Sequence, residues 1–253
     1  MITIQYLEPG PKTEKITPVQ AELKLKAAIE NLPIDCLLLG WDIPSILEEK
    51  CREITSRAGI KLYRWHPLLT GDGILYPKLK WRTQNIEKLP IPGFRGLPEF
   101  TFFCPNNPEA RTAVITHVAN IAKSGIYDGI FLDRMRFPSP SSDPVNFLSC
   151  FCKSCINAAL GLGINLLDVR QSLLEIEEIN LLRVLCSEPI QPISAFLDFR
   201  QNSITQFVAE ISETIRVAGL EVGLDCFSPS LTRMVGQDLS TLNPLADWTK
   251  IMV

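Results

Sequence analysis

Three cysteines lie within six residues of one another, in the stretch FLSCFCKSC at 147–155. Cys150, Cys152 and Cys155 supply three thiols, whereas a structural zinc site needs four tetrahedral ligands. Cys104, in FFCPNNP ahead of a predicted helix, is the candidate for the fourth. The sequence therefore favours a closed, structural Zn²⁺ site. Free thiols from a site that has lost its metal, and a disulfide between Cys152 and Cys155, are the alternatives.

Two aspartates follow strand-like apolar stretches, which is where catalytic residues gather in β/α barrels. Asp133 ends YDGIFLD, and Asp225 lies near the end of LEVGLDCF. Side-chain alternation puts each carboxylate on the face opposite the aliphatic residues. If the strands are neighbours, about 4.8 Å apart, the carboxylates fall within the roughly 5–10 Å that glycosidases use. One would protonate the leaving oxygen, and the other would attack or stabilise the oxocarbenium-like centre.

Further polar and aromatic side chains lie near the same strand ends. His66 shares its parity with Arg64, so the sequence predicts a polar pair that faces the barrel axis and contacts substrate. Arg136 either holds a substrate group or pairs with the neighbouring aspartate. Trp41 and Trp65 either stack on a sugar ring or pack in the core.

Other polar residues receive different predictions. Asp42 precedes IPSILEEK and is predicted to cap a helix. His117 lies in a predicted helix, where a surface or core position is the ordinary one. A metal-dependent hydrolase with His66, Asp133 and Asp225 as ligands is a third functional interpretation. The chain has only two histidines, which counts against it.

The elements that would position these residues alternate along the chain. Predicted strands cover 2–7, 35–41, 60–66, 127–133, 220–227 and 247–253, and predicted helices cover 18–32, 43–59, 108–125 and 193–219. Such alternation predicts parallel strands joined by right-handed crossovers. Continuous apolar strands indicate a sheet that is covered on both faces. A doubly wound open sheet and a β/α barrel both fit, and the sequence lacks the glycine-rich nucleotide-binding motifs.

About six strands are predicted, and a full (β/α)8 TIM barrel has eight. We therefore expect an incomplete β/α barrel, formed by residues 1–253 as a single domain. A long loop at 67–99 and a cysteine-containing insertion at 140–190 interrupt the alternation. Loops of that length are usually functional.

Composition excludes several classes of protein. The net charge of −3 argues against a protein that binds nucleic acid through bulk charge. No apolar stretch reaches the length of about 18 residues that a membrane span needs, and no secretion signal is recognisable. A cytoplasmic location is the prediction, and the oligomeric state is left open. Cys36 and Cys226, within apolar strands, are predicted to be buried free thiols.

Four stretches together resemble a known group of proteins. CPNNPEAR, YDGIFLDRMRFPSP, CFCKSC and LDFRQNSITQFV are similar to the barrel domains of glycoside hydrolase-like bacterial families of clan A, and the resemblance covers 35–253. The zinc-containing beta-galactosidases of that clan carry a similar C-x-C-x-x-C after the fourth strand, with a further cysteine upstream. The resemblance implies a β/α barrel, a carbohydrate ligand and a zinc ion held by Cys104, Cys150, Cys152 and Cys155.

The sequence departs from those beta-galactosidases at the fourth strand. Their Asn-Glu pair, which supplies the acid/base, is replaced here by Arg134 and Met135. Their nucleophile lies on a later strand than this chain reaches. We therefore expect a glycoside hydrolase-like protein in which Asp133 and Asp225 carry the chemistry in a different arrangement, with no catalytic cofactor. A non-catalytic carbohydrate-binding barrel is the alternative.

Overall fold

The computed structural model describes residues 1–7, 15–140, 146–176 and 191–252. Its strands are β1 (Thr3–Tyr6), β2 (Cys36–Leu39), β3 (Lys61–Pro67), β4 (Gly129–Asp133), β5 (Glu221–Cys226) and β6 (Trp248–Ile251). Its helices are α1 (Pro18–Asn31), α2 (Ser45–Ala58), α3 (Pro108–Ala122), α4 (Lys153–Leu160), α5 (Leu166–Leu174), α6 (Ile193–Val217), α7 (Pro229–Val235) and α8 (Leu239–Leu242).

All six strands are parallel and pair in chain order, from β1 to β6. Each strand returns beside the previous one through a helical crossover, so the sheet curls in one direction as a β/α barrel does. The described residues thus form an incomplete TIM-type barrel. The predicted fold class and the predicted number of strands are confirmed.

The two faces of the curled sheet bury different side chains. The outer face is aliphatic: Leu37, Leu39 and Leu62 pack under α1 and α2, and β4 and β5 pack under α3 and α6. The inner face is aromatic, and its cluster comprises Cys36, Leu38, Trp41, Tyr63, Trp65, Phe131 and Trp248. Burial on both faces explains why these strands have continuous apolar sequences.

Glycines make room for the aromatic rings inside the barrel. A Cβ on Gly129 would lie 2.3 Å from the Tyr63 ring, and a Cβ on Gly223 would lie 2.7 Å from the Trp248 ring. Both distances are shorter than any carbon–carbon contact that packing tolerates. The inner face of β4 and β5 therefore alternates glycine with larger residues, and the space above each glycine is filled from a neighbouring strand.

Local sequence signals set the helix ends. Thr17 and Gln20 form a capping box at the start of α1, and Asn107 caps α3. Helix α2 ends at Gly59, whose φ of +69° is the left-handed conformation that favours glycine. The predicted cap at Asp42 is wrong, because α2 begins at Ser45 after an N-cap proline.

The two predicted interruptions extend the barrel at its carboxyl end. The loop at 67–99 contains short 3-10 turns, and Trp81 anchors it in the core. Of the insertion at 140–190, the part at 146–176 forms α4 and α5, whereas 141–145 and 177–190 lie outside the described residues. Within the part of the chain that the structure describes, no helix has both the length and the apolar character needed to cross a bilayer.

Candidate active site and metal-binding clusters

The two predicted carboxylates lie side by side at the carboxyl end of the sheet. Strands β4 and β5 are paired, with Leu132 aligned to Leu224. The next residues along the two strands are Asp133 and Asp225, so they are level with each other. Both have the parity of Phe131, which packs inside the barrel. The geometric condition on which the predicted pair depends, that the two strands are neighbours, is therefore met.

Asp225 is buried, with 4% of its surface exposed. Its Oδ2 lies 3.4 Å from the Nζ of Lys250 on β6, and its buried Oδ1 has no hydrogen-bond partner among the described residues. Burial, followed by the negative charge of Asp133, raises the pKa of Asp225 to about 6, although Lys250 and Arg136 act in the opposite direction. This carboxyl group therefore holds a proton at mildly acidic pH.

Asp133 is partly exposed and is held by two donors. The indole Nε1 of Trp65 donates to its Oδ2 at 3.0 Å, and the backbone N–H of Arg134 donates to its Oδ1 at 2.5 Å. Arg134 has a φ of +52°, a strained conformation for a residue with a Cβ. Trp65 and the strained turn therefore fix the orientation of the carboxylate.

Arg136 lies close to the pair but is held by its own neighbours. Its guanidinium lies 4.8 Å from the centres of the Phe102 and Phe227 rings and donates to the carbonyl oxygen of Phe137. Burial lowers its pKa to about 10, while the charge of Asp133 acts in the opposite direction. Arg136 therefore places positive charge beside the carboxylates.

The tryptophans form part of the inner core. Trp41 and Trp65 pack edge to face, with ring centroids 5.0 Å apart, and both are buried. Trp41 also lines a cavity of about 190 Å³, together with Asp42, Tyr76, Gly71, Gly73, Pro98 and Glu99. Trp65 thus positions Asp133, whereas Trp41 and the exposed Tyr76 belong to a recess at the mouth.

The prediction that Arg64 and His66 face the barrel axis is wrong. Tyr63 and Trp65 occupy the inner face of β3, so Arg64 and His66, which alternate with them, point towards the helices. Arg64 donates to Glu48 at 2.8 Å and is 4% exposed. Arg64 and His66 share one face of β3, as predicted, but large aromatic rings fill the interior and the polar residues lie behind them.

His66 instead meets two residues that the sequence did not connect. His66, Asp72 and His117 offer ligand atoms that all lie within 4.8 Å of one another. Burial lowers the pKa of His66 to about 3. Burial alone would raise the pKa of Asp72, but the hydrogen bond with His117 and the charge of His66 hold it below its ordinary value.

This arrangement excludes the metal-hydrolase ligand set. His66 lies on the face of β3 opposite the one that Asp133 and Asp225 share, so the three cannot coordinate one ion. Sequence patterns gave no signal for Asp72, which lies in the long loop. The sole hint was that the chain has only two histidines, one at a strand end and one on a following helix.

The four predicted cysteine ligands come together. Cys104, Cys150, Cys152 and Cys155 are all buried, and their sulfurs lie within 4.8 Å of one another. The Sγ of Cys104 is 3.5 Å from that of Cys152 and 3.4 Å from that of Cys155. All four are free thiols, so the predicted disulfide alternative is not formed. Four converging sulfurs are a donor set that fits a tetrahedral metal ion.

The surroundings of the cluster suit thiolate ligands. The backbone N–H of Gln84 donates to Cys150 at 3.2 Å, and the side-chain amide of Asn106 donates to Cys155 at 3.4 Å. Such outer hydrogen bonds orient ligands and offset their charge. Hydrogen bonds with the neighbouring thiols, Cys104 first, lower the pKa of Cys152, which favours the thiolate form that binds metal ions.

Arg200 is a fully buried cation beside this cluster. It donates to the carbonyl oxygens of Phe147 and Met234, each at 2.8 Å. No carboxylate lies within ion-pair distance of Arg200 among the described residues. Burial lowers the pKa of Arg200 to about 9, and the charges of Cys150 and Cys155 act in the opposite direction. Four thiolates around a divalent ion carry two net negative charges, so this guanidinium is well placed to offset them.

Comparisons with known proteins identify the fold. No family model matches the chain, and no curated protein matches it. Among solved structures, it is similar to the PgaB (BpsB) glycoside hydrolase domain from Bordetella bronchiseptica, with a TM-score of 0.66, 16% identity and coverage of 99% of this chain and 73% of that chain.

Two further structures show the same similarity. The beta-amylase catalytic domain from Paenibacillus polymyxa gives a TM-score of 0.62, 10% identity and coverage of 99% and 76%. The beta-galactosidase from the psychrophilic Marinomonas ef1 gives 0.60, 12% identity and coverage of 100% of this chain and 40% of that chain. The chain thus spans less than half of the beta-galactosidase. The protein shares the β/α-barrel fold of these structures, with six strands among its described residues.

Proposed function

We propose that this barrel hydrolyses an O-glycosidic bond at the carboxyl ends of β4 and β5. In this proposal Asp225 is the general acid and Asp133 is the nucleophile. The observation that carries the proposal is the pair itself: two level carboxyl groups on adjacent strands, one of which has its pKa raised to about 6. Two carboxyl groups in different environments are what glycoside hydrolysis requires.

The environments support this division of roles. Asp225 is buried and holds its proton at mildly acidic pH, so it can protonate the leaving oxygen. Asp133 is partly exposed and is oriented by Trp65 and the backbone N–H of Arg134. Its charge would stabilise the oxocarbenium-like centre and its oxygen would attack it. Water would then release the sugar, with Asp225 acting as the base.

The spacing of the pair favours retention of configuration. Neighbouring strands lie about 4.8 Å apart. Retaining enzymes place their carboxyl groups roughly 5–5.5 Å apart, whereas inverting enzymes use roughly 6.5–9.5 Å. Level positions on paired strands fit the shorter range, so we propose a covalent glycosyl intermediate on Asp133.

A carbohydrate substrate is the part of the proposal that the fold supports. The similar structures are a glycoside hydrolase domain, a beta-galactosidase and the catalytic domain of a beta-amylase. The recess beside Trp41 and the exposed Tyr76 offers aromatic surface and carboxylates, which are the groups that sugar rings contact.

The proposal is tested by hydrolysis of an oligosaccharide panel. The purified protein is compared with Asp133→Asn, Asp225→Asn and the control Asp168→Asn, whose side chain is exposed on α5. We expect both active-site variants to lose at least 100-fold in kcat/KM on the substrates that the parent protein cleaves, and the control to retain activity. Full activity of Asp133→Asn would refute the proposed nucleophile.

The alternative function is a non-catalytic carbohydrate-binding barrel. One observation favours it: the guanidinium of Arg134 lies 5.2 Å from the centre of the Trp41 ring and 4.5 Å from that of Phe100, and so covers aromatic surface near the pair. Calorimetric titration of the same panel separates the two functions. Binding of a sugar that the parent protein does not cleave, with unchanged affinity in Asp225→Asn, would favour the binding barrel.

We also propose that the four clustered cysteines bind a structural zinc ion. This zinc would join the start of the segment before α3 to the segment after β4, because Cys104 and Cys155 lie at those two places. Metal analysis before and after thiol modification tests it, with loss of one zinc per chain as the expected result. A cytoplasmic location, which the sequence predicts, would keep these cysteines reduced and able to bind the metal.

A further inference from the structure

A second cluster of metal-binding side chains lies behind the inner face of the barrel. His66 is the second-last residue of β3, Asp72 lies in the loop that follows, and His117 lies on α3. Neither the proposed hydrolysis nor the cysteine site uses them. We propose that these three residues form a second metal site, which binds a first-row divalent cation such as Zn²⁺ through two imidazoles and one carboxylate oxygen.

The two oxygens of Asp72 have different partners. Its Oδ1 accepts hydrogen bonds from the backbone N–H groups of Ile74 and Leu75, at 3.2 and 2.8 Å. Its Oδ2 lies 2.6 Å from the Nε2 of His117 and 3.6 Å from the Nδ1 of His66. One oxygen therefore fixes the loop, and the other points towards two imidazole nitrogens.

His66 supplies the observation that points to a ligand. Its side chain is 2% exposed, yet neither ring nitrogen has a hydrogen-bond partner among the described residues. Buried polar atoms are nearly always bonded, and a neutral imidazole needs an acceptor for one nitrogen and a donor for the other. A metal ion at Nδ1 would occupy one of these positions.

The distances suit a small cation. Zinc lies about 2.0–2.2 Å from imidazole nitrogens and carboxylate oxygens, so the donors of a tetrahedral site lie roughly 3.3–3.6 Å apart. The distance from the Oδ2 of Asp72 to His66, 3.6 Å, is at the upper limit of that range, and the distance to His117, 2.6 Å, is shorter than the range. A shift of less than about 1 Å by the His117 side chain would therefore form the site.

The chemistry of the donor set also fits. Two histidines and one carboxylate bind zinc and other divalent first-row metals, and they leave positions for water. Arg64 is the nearest competing cation on β3, and it is already paired with Glu48 at 2.8 Å. His117 retains 11% exposure of its side chain, so solvent reaches the cluster from the side of α3.

A metal here would stabilise one wall of the candidate active site. Asp72 lies between Gly71 and Gly73, and both glycines line the recess that contains Trp41. An ion bound by Asp72 and His117 would fasten this part of the loop to α3. The inference therefore assigns the site a structural role in shaping the recess, and it does not depend on the proposed hydrolysis.

Metal stoichiometry tests the proposal. The full chain, with any affinity tag removed, is equilibrated with Zn²⁺ and analysed for bound metal. We expect two zinc ions per chain in the parent protein, one in Asp72→Asn and one in His117→Ala. Cys104→Ser should lose the other ion, and Asp168→Asn should keep both. The proposal would be overturned if His117→Ala retained two zinc ions. It would also be overturned if the parent protein bound only one zinc ion and Cys104→Ser lost that ion.

A measurement on the unaltered chain guards against misfolded variants. The chain has only two histidines, so ¹⁵N-histidine labelling gives two resolvable sets of ring signals. We expect both sets to shift when Zn²⁺ is added beyond the first equivalent, with one ring nitrogen of each histidine changing most. Histidine signals that stay unchanged while zinc binds would show that the cluster is a hydrogen-bonded network without metal, and the proposal would fail.

Discussion

Replacing Asp225 by asparagine should make the protein more stable at neutral pH while it abolishes the proposed acid catalysis. The pKa of Asp225 is raised from 3.8 to about 6, first by burial and then by Asp133. Since one pKa unit corresponds to about 1.36 kcal/mol, the ionised carboxylate costs the folded state about 3 kcal/mol. Lys250, the partner left behind, is partly exposed and can return to water.

The sign of the effect follows from the raised pKa. Well below pH 4 Asp225 is protonated in both the folded and the unfolded state, so no cost arises. As pH rises from about 4 to 6, the unfolded state releases its proton first and the folded protein loses stability; above pH 6 the full cost persists. Asp225→Asn removes a group that would otherwise become charged, so its advantage should grow over the same interval.

Urea denaturation at pH 4 and pH 8 measures this prediction. We expect Asp225→Asn to be up to about 3 kcal/mol more stable than the parent protein at pH 8, which corresponds to roughly 6–12 °C in Tm, and nearly equal at pH 4. Asp168→Asn should stay within about 1 kcal/mol at both pH values. A variant that is less stable at pH 8, or one whose stability differs from the parent by the same amount at both pH values, would refute the reasoning.

Three further predictions concern the same elements. If protonated Asp225 is the acid, kcat/KM should fall tenfold per pH unit above about pH 6. Proton NMR should show that the first sugar released keeps its anomeric configuration, and an inverted product would refute the retaining geometry. Arg200→Met leaves two buried carbonyl oxygens without donors, so it should lower the free energy of unfolding by roughly 2–6 kcal/mol. It should also weaken zinc binding in a chelator competition, and unchanged zinc affinity would refute the proposed electrostatic role of Arg200. Gly129→Ala would press a methyl group against the Tyr63 ring and should lower the free energy of unfolding by about 1–3 kcal/mol in urea denaturation. The control Gly161→Ala, at a right-handed position with ordinary contacts, should leave stability unchanged or raise it. Equal effects of the two variants would contradict the packing argument.

The strands and helices could be predicted from the sequence because local patterns determine them. Continuous apolar stretches mark strands that are covered on both faces. Gly59 and Asn107 mark helix ends by conformation and capping. The level positions of Asp133 and Asp225 also follow from local information, since their parity is visible in the sequence and sequential β/α units place β5 beside β4.

The orientation of β3 could not be predicted, because both of its faces are chemically plausible as the inner one. Polar Arg64 and His66 resemble a substrate-facing pair, whereas Tyr63 and Trp65 resemble core residues. The register with β2 decides the matter by aligning Leu62 with Leu37, which packs under α1 and α2. The ion pair that satisfies Arg64 depends on the packing of α2, which no periodicity records.

The cysteine cluster could be predicted from the sequence, whereas the histidine cluster could not. Three cysteines lie close together in sequence, and Cys104 offers the fourth thiol that a tetrahedral site would need. The histidine cluster depends on the path of the loop that carries Asp72, and that loop lacks periodicity. Only the three-dimensional structure brings Asp72 to His66 and His117.

The most direct test of the central claim compares two substrates in three proteins. One substrate is an oligosaccharide that the parent protein cleaves. The other is an aryl glycoside of the same sugar, whose good leaving group departs without protonation by an acid. The account predicts that Asp225→Asn loses activity on the oligosaccharide but still releases a burst of the aryl group from the aryl glycoside, because only the later hydrolysis of the intermediate needs Asp225 as base, whereas Asp133→Asn loses both. Absence of that burst in Asp225→Asn, or activity of Asp133→Asn on either substrate, would contradict the assigned roles of the two carboxylates.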